Sequence, residues 1–188
     1  MILPVVKYGH PVLRQKGARL QKIGPEIVEL INNMLDTMQA ARGVGLAAQQ
    51  VGQALQIAVI DVSAVADRPS TLEYNGKPAE PASLMPLVLI NPELKSVDPS
   101  VSGPEGCLSF PEIYADISRP ESVDVSALNE KGERITFRCG GLLARAVQHE
   151  ADHLNGILFI DRMSKVDKTA FKAELEVLHA ETKASLKR

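Results

Sequence analysis

The sequence contains no tryptophan, and aromatic residues make up only 4% of its 188 positions. Two cysteines are too few for a disulfide framework, and a formal charge of −2 provides no bulk field that would attract DNA or an anionic membrane surface. The longest uncharged stretch, 43–60, contains four glutamines and three glycines, which the hydrocarbon core of a membrane would not tolerate. We therefore expect neither a DNA nor a membrane partner. The 45% of hydrophobic residues is typical of a globular protein, here a single domain over 1–188.

The N-terminal residues give no indication of export. The segment MILPVVKYGHPVL has two prolines and no basic region followed by an apolar one, so it does not match a secretion signal. We therefore expect a cytoplasmic protein, in which Cys107 and Cys139 stay reduced and each thiol needs its own explanation. Cys139 has no distinctive neighbours and is interpreted as a core residue.

Hydrophobic periodicity predicts three helices and several short strands. Helices are expected from Pro25 to a stop at Gly43, from Leu142 to a stop at Asn155-Gly156, and over 164–184 with Ser164 as the capping residue. Strands are expected at 55–62 and 87–90 and on both sides of a turn at 129–132. Strands followed by separated helices, without β-α-β alternation, predict an α+β domain. Segment 63–86, with four prolines, is interpreted as a surface excursion of that domain.

The clearest chemical signal is the run His149-Glu150-Ala151-Asp152-His153 in the second predicted helix. Positions i and i+4 lie on one helix face, with Cβ atoms about 5–6 Å apart, so both imidazoles can bind one metal ion. Glu150 lies beside that face and can take a proton from water activated at the ion. The run therefore predicts a metal-dependent hydrolase.

Such a site needs a third protein ligand, and the residues leave alternatives open. The position used by metzincins is occupied by Phe159, which excludes that subclass. Glu174 could serve in a conventional metallopeptidase, although charged neighbours favour a solvated face. Cys107, in the run PEGCLS at 104–109, is favoured because a thiolate can come from a distant strand or loop and leaves a fourth position open for water. Ligand type alone would indicate zinc.

A third segment, GVGLAAQQ at 43–50, contains glycines that permit close backbone approach. It has neither the last glycine of a dinucleotide-binding fingerprint nor the Gly-Lys-Ser/Thr ending of a phosphate-binding loop. In chain order, GVGLAAQQ, PEGCLS and HEADH resemble the three motifs of the peptide deformylases. The match spans 43–153, and further similarity extends over 8–14, the helix that begins at Pro25, 89–92 and 154–162.

The resemblance implies an α+β fold in which mixed, mostly antiparallel sheets pack around a central helix carrying the His-Glu-x-x-His motif, with a further helix at the C-terminus. It implies hydrolysis of the N-formyl group from the N-terminal formylmethionine of newly synthesised proteins, with release of formate. A metallopeptidase with Glu174 as third ligand is the alternative. The resemblance also implies Fe²⁺ as the metal, with Ni²⁺, Co²⁺ or Zn²⁺ as substitutes in purified protein.

Residue by residue, the resemblance assigns Cys107, His149 and His153 to the metal, and Glu150 to proton transfer from water to the leaving amine. The side chain of Gln50 and the backbone N–H of Leu108 would hold the oxyanion. Substrate contacts are expected from Val44, Gly45, Leu142 and Ala146, with Gly45 pairing with the substrate backbone and the other three lining a methionine pocket.

Two expectations concern residues around this core. Asp152 points away from the ion and is expected to pair with Arg119, which would brace the ligand helix. The C-terminal stretch 165–188 holds six basic and four acidic residues. Because the substrate would be a nascent polypeptide, a weak contact with ribosomal RNA through this helix is expected.

Overall fold

The computed structural model describes residues 1–188 and contains three helices and nine strands. The helices are α1 (Pro25–Ala40), α2 (Gly141–Leu154) and α3 (Lys165–Ser185). The strands are β1 (Gly45–Ala47), β2 (Ile57–Ile60), β3 (Ser70–Tyr74), β4 (Lys77–Ala79), β5 (Leu87–Ser96), β6 (Ser100–Cys107), β7 (Phe110–Pro120), β8 (Ser122–Leu128) and β9 (Arg134–Gly140). Short 3-10 turns lie at Pro11–Arg14, Ala48–Val51, Pro81–Leu84 and Phe159–Arg162.

The strands form two antiparallel sheets. Seven of them pair in the order β1-β2-β5-β8-β9-β3-β4, while β6 and β7 form a separate long hairpin. All ladders are antiparallel, and the one parallel pairing is an isolated bridge between Ala18 and Leu55. The α+β class and the predicted hairpin around 129–132 are confirmed.

The helix boundaries follow local sequence signals. Pro25 occupies the first turn of α1, where a missing N–H costs nothing. The hydroxyl of Ser164 accepts a hydrogen bond from the Asp167 N–H and caps α3. None of the residues of α3 is fully buried, because the helix lies on the outside of the fold. None of the three helices is long and apolar enough to cross a membrane.

Segment 63–86 differs from the predicted surface excursion. Its residues 70–74 form β3, which pairs with β9 inside the seven-stranded sheet. Leu72 is buried there between more exposed neighbours, as expected for a strand with one face on the core. The four prolines of the segment lie outside β3, so its backbone N–H groups remain free to pair.

Helix α2 lies between the seven-stranded sheet and the hairpin. It contacts β1, β2, β3, β8 and β9 on one side and β7 on the other. Apolar side chains, including Leu143 and Val147, pack into the largest core cluster. All its residues except Gly141 and Ala151 are buried. The polar side chains of α2 are therefore removed from water and need partners within the protein.

Candidate active site

The fold brings one thiol and two imidazoles together. Cys107 lies at the end of β6, and His149 and His153 lie one turn apart on α2. The potential ligand atoms of the three residues all lie within 4.8 Å of one another, and Cys107 Sγ is 3.4 Å from His153 Nε2. Two imidazole nitrogens and one thiolate suit a divalent transition metal, so this donor set fits the predicted ion.

A buried carboxylate orients His149. The Nδ1 atom of His149 lies 2.8 Å from Glu105 Oε1. Because a carboxylate only accepts hydrogen bonds, Nδ1 carries the proton and Nε2 is left to bind the metal. Burial opposes the charge on Glu105, but His149 and Arg119 outweigh that effect and lower the pKa of the Glu105 carboxyl to about 2. Glu105 therefore stays ionised at neutral pH.

Two buried arginines complete a charge network around this carboxylate, and the more exposed Arg162 extends the network at Asp152. Arg119 donates two hydrogen bonds to Glu105, of 2.6 and 2.9 Å, and Arg145 donates one of 2.9 Å. Arg119 also donates to Asp152 at 2.8 Å, which is the predicted pair, and Arg162 donates to the same carboxylate at 2.6 and 2.8 Å. Sequence reasoning missed Glu105, Arg145 and Arg162. Only the position of Glu105 two residues before Cys107, on the same face of a strand, could have indicated its role.

Glu150 lies next to His149, one of the candidate ligands, without a hydrogen-bond partner for its carboxylate. Its Oε2 atom is buried and forms no hydrogen bond. Its carboxylate lies so close to Gly45 that a Cβ atom at position 45 would collide with it. Burial raises the pKa of Glu150 to about 7, and the opposing effects of His149 and Arg119 are smaller. This carboxyl group can therefore both accept and release a proton near neutral pH.

Two hydrogen-bond donors face the same region from other elements. The Oε1 atom of Gln50 accepts a bond of 2.9 Å from the Ala47 N–H, which orients the side-chain amide. Its Nε2 then points toward Ser109 Oγ, at 3.2 Å, and Cys107 Sγ, at 3.5 Å. The backbone N–H of Leu108 forms no hydrogen bond within the protein. The Leu108 N–H is therefore free for a substrate oxygen, whereas the Gln50 amide can donate to one by exchanging its contact with Ser109 Oγ or Cys107 Sγ.

These residues surround one cavity of about 410 Å³. Among its lining residues are nine that the sequence singled out: Val44, Gly45, Gln50, Cys107, Leu108, Leu142, Ala146, His149 and Glu150. His153 is buried behind this surface with 1% exposure. Glu174 is exposed on α3, outside both the cavity and the ligand cluster, so the fold does not bring the alternative third ligand to the site.

The second cysteine has a different environment. Cys139 is buried in the main core cluster, where desolvation raises the pKa of its thiol to about 12. It stays neutral at physiological pH and behaves as a small apolar side chain.

Comparisons with known proteins agree with the geometry. The family model described as "Polypeptide deformylase" matches residues 2–169. A peptide deformylase of Methylacidiphilum infernorum is 47% identical, with 94% of this chain and 92% of the relative covered. One of Opitutus terrae is 42% identical, with 100% and 98% covered. The crystal structure of a peptide deformylase from Synechococcus elongatus in complex with actinonin matches with a TM-score of 0.75 and 38% identity, covering 96% of this chain and 85% of the other.

Proposed function

The chain belongs to the polypeptide deformylase family, and from that premise we propose that the cavity beside Cys107, His149 and His153 is its active site. The protein is a metal-dependent amidohydrolase that removes the N-formyl group from newly synthesised polypeptides and releases formate. The observation that carries the assignment of the site is the ligand cluster, with the unpartnered carboxylate of Glu150 beside it. We place this activity in the cytoplasm, where nascent chains are made.

Cys107, His149 and His153 hold the metal ion in our proposal, with Nε2 of His149 as a ligand because Glu105 occupies Nδ1. The ion is ferrous iron, as the resemblance implies, and nickel, cobalt or zinc can replace it in purified protein. When bound, it supplies a Lewis acid that polarises the formyl carbonyl and lowers the pKa of water beside it.

Glu150 moves the proton. It accepts one proton from the attacking water, and the resulting carboxylic acid then donates that proton to the nitrogen of the breaking amide bond. The C–N bond breaks to give formic acid and a free amine, the acid gives its remaining proton to the amine or to solvent, and formate and the amine leave. A carboxyl group with a pKa of about 7 suits both steps, because neither protonation state is strongly disfavoured at neutral pH.

Gln50 and Leu108 stabilise the charge that develops on the formyl oxygen. Gln50 supplies an N–H from its oriented amide, and Leu108 supplies its unpartnered backbone N–H. Donors oriented before the reaction need little reorganisation as charge develops, and one such donor is typically worth about 2.7–4 kcal/mol.

The methionine side chain of the substrate lies against Val44, Leu142 and Ala146. Leu142 and Ala146 precede His149 on the same face of α2, and all three residues line the cavity. Gly45 pairs with the substrate backbone. An unbranched, polarisable side chain packs readily against such a surface.

Release of formate from a formyl-methionyl tripeptide by protein prepared without oxygen tests this function. Glu150→Gln is expected to retain the metal and lose activity, whereas Glu174→Gln should match the parent protein. Activity that survives Glu150→Gln would remove the proton-transfer role. Activity that depends on Glu174 would restore the metallopeptidase alternative.

We also propose that the C-terminal stretch 165–188, which includes α3, makes a weak contact with ribosomal RNA, because α3 lies on the outside of the fold and the stretch holds six basic and four acidic residues. Deletion of the residues after 180 is expected to reduce co-sedimentation with ribosomes at low salt. Unchanged co-sedimentation would refute the contact and leave the enzymatic assignment intact.

A further inference from the structure

Three consecutive residues near the N-terminus bond to the two segments that carry the proposed oxyanion donors. The Val6 N–H donates to the Gln50 carbonyl at 2.8 Å, and the Tyr8 N–H donates to the Ser109 carbonyl at 3.0 Å. Between them, the ammonium group of Lys7 donates to the Leu108 carbonyl at 2.7 Å. Segment 6–8 therefore connects the Gln50 segment to the turn at 108–109.

The bond from Lys7 is the unusual one of the three, because a charged side chain is used where a neutral donor would suffice. Lys7 is half-buried and lines the cavity. Its only side-chain hydrogen bond goes to the Leu108 carbonyl. Burial lowers the pKa of its ammonium group, and an electrostatic interaction with Cys107 offsets part of that effect. A positive charge without a carboxylate partner thus lies within reach of the site.

The hydrogen bond from Lys7 to the Leu108 carbonyl also affects the backbone N–H of Leu108. The C=O and N–H of one residue are linked by its two backbone torsions, so a fixed carbonyl restricts the direction of the N–H. The Leu108 N–H has no acceptor of its own in the protein to hold it in place. The orientation of the Leu108 N–H therefore depends on contacts that other residues make with Leu108, such as the hydrogen bond to its carbonyl.

We propose that Lys7 is a positioning residue of the oxyanion site, which fixes the Leu108 backbone through its carbonyl and adds positive charge beside the developing negative charge. The inference rests on the proposed deformylation and on Gln50 and Leu108 as its donors. Sequence analysis did not single out Lys7, since its partner lies 101 residues away along the chain.

Replacement of Lys7 by methionine keeps an unbranched side chain of nearly the same length and removes both charge and donor. We expect kcat for formate release to fall by roughly 10- to 100-fold, less than the 10²–10³ seen when an oxyanion donor itself is removed. KM should stay within about twofold, because Lys7 is not part of the methionine pocket. Lys7→Arg should recover kcat to within about threefold of the parent, since it restores both charge and donor. Lys131→Met, in the exposed β8–β9 turn, is the matched control and should change neither value.

A second readout does not depend on turnover. In protein loaded with Co²⁺, the charge-transfer absorption from the Cys107 thiolate should move to lower energy in Lys7→Met, because a nearby positive charge stabilises the sulfur electrons. The band should be unchanged in Lys131→Met. Melting temperatures of all variants show whether the fold is retained.

Equal kcat in the parent and Lys7→Met, or equal losses in Lys7→Met and Lys7→Arg, would overturn the inference. If Lys7→Met does not fold, Lys7→Gln and Lys7→Arg replace it, and equal kcat in these two would likewise refute a role for the charge. A parent protein that holds metal but releases no formate would instead refute the proposed function, which is a separate outcome.

Discussion

The two sides of the cavity are held in place by different kinds of interaction. The proposed metal side, formed by the candidate ligands and the Glu105-Arg119-Asp152 network, depends on buried charges that pair with one another. The proposed oxyanion side, formed by Gln50, Leu108 and Lys7, depends on an amide, a backbone N–H and the bonds that orient them. The ligand atoms must stay close together when no ion is bound. The paired buried charges of the network can hold them there. The two N–H donors need only the right orientation toward the substrate oxygen, and a few hydrogen bonds are enough to fix it.

We therefore expect substitutions on the metal side to lower the free energy of unfolding, and substitutions on the oxyanion side to lower kcat. Glu105→Gln leaves Arg119 and Arg145 facing a neutral amide inside the protein. We expect the free energy of unfolding to fall by about 3–5 kcal/mol, as for other broken buried ion pairs. Metal affinity should drop roughly 10- to 100-fold, because His149 loses its orienting partner. Denaturant titration and metal analysis after dialysis measure both effects.

Glu121→Gln is the control for this change, because Glu121 is an exposed carboxylate outside the network. Its stability and metal content should equal those of the parent. A similarly stable Glu105→Gln protein that retains its metal would mean that the network does not hold the ligands in place.

On the oxyanion side, Gln50→Ala removes one donor. We expect kcat to fall by about 10²–10³, equivalent to about 2.7–4 kcal/mol of transition-state stabilisation. Metal content should be unchanged, since Gln50 is not a ligand. Steady-state kinetics together with metal analysis tests the separation. Loss of metal in Gln50→Ala would show that the two sides are not independent.

Gly45 lies where the two sides meet, against the Glu150 carboxylate. In Gly45→Ala the new methyl group would displace that carboxylate, and the predicted loss in kcat is roughly 10- to 100-fold, or about 1.4–2.7 kcal/mol. Gly43→Ala is the control, because a Cβ atom at position 43 would closely contact only the flexible end of the Leu108 side chain. Gly52→Ala is less suitable, because the positive φ of Gly52 would strain an alanine backbone. Equal activity in the two alanine variants would contradict the collision.

The smallest effect is expected where an ion pair is partly solvated. Burial opposes ionisation of Asp161, but its hydrogen bonds with Arg14 outweigh this and lower the pKa of the carboxyl below 3.8. A lowered pKa stabilises the fold above pH 3.8, and the contribution disappears as the pH falls through the lower value. Asp161→Asn should cost less than about 1 kcal/mol at pH 7, because solvent screens the pair. The difference from the parent should shrink by pH 3, and urea unfolding at both pH values measures it.

Local patterns predicted what lies within a turn or two of the chain. The i, i+4 spacing placed His149 and His153 on one face of α2, and Asp152 was assigned to Arg119 correctly. Cys107 entered as the favoured third ligand, and the family resemblance supported it. The shared histidine face was predicted because helix geometry follows directly from residue spacing. The Asp152–Arg119 pair spans 33 residues and did not come from helix spacing alone, and Cys107 as third ligand stays a prediction.

The residues that were missed act over long distances along the chain. Glu105 faces Ala115 across the hairpin, and this register brings its carboxylate to Arg119 and to a helix 44 residues away. Lys7 reaches Leu108 only because the N-terminal segment crosses the turn. Likewise, β3 was hidden by flanking prolines, although its partner β9 was expected to be a strand. Periodicity carries no information on which distant segments pair.

The proposed ligands come from two separate units of the fold, with Cys107 on the hairpin and both histidines on α2. One ion bound to all three would cross-link these units through coordinate bonds. Because the unfolded chain does not hold the three ligands together, the ion binds mainly the native state and raises the free energy of unfolding with its concentration. Amide hydrogen exchange in β6 and β7 should slow on loading. The ion would therefore be a reversible cross-link between the hairpin and α2 in addition to its part in the reaction.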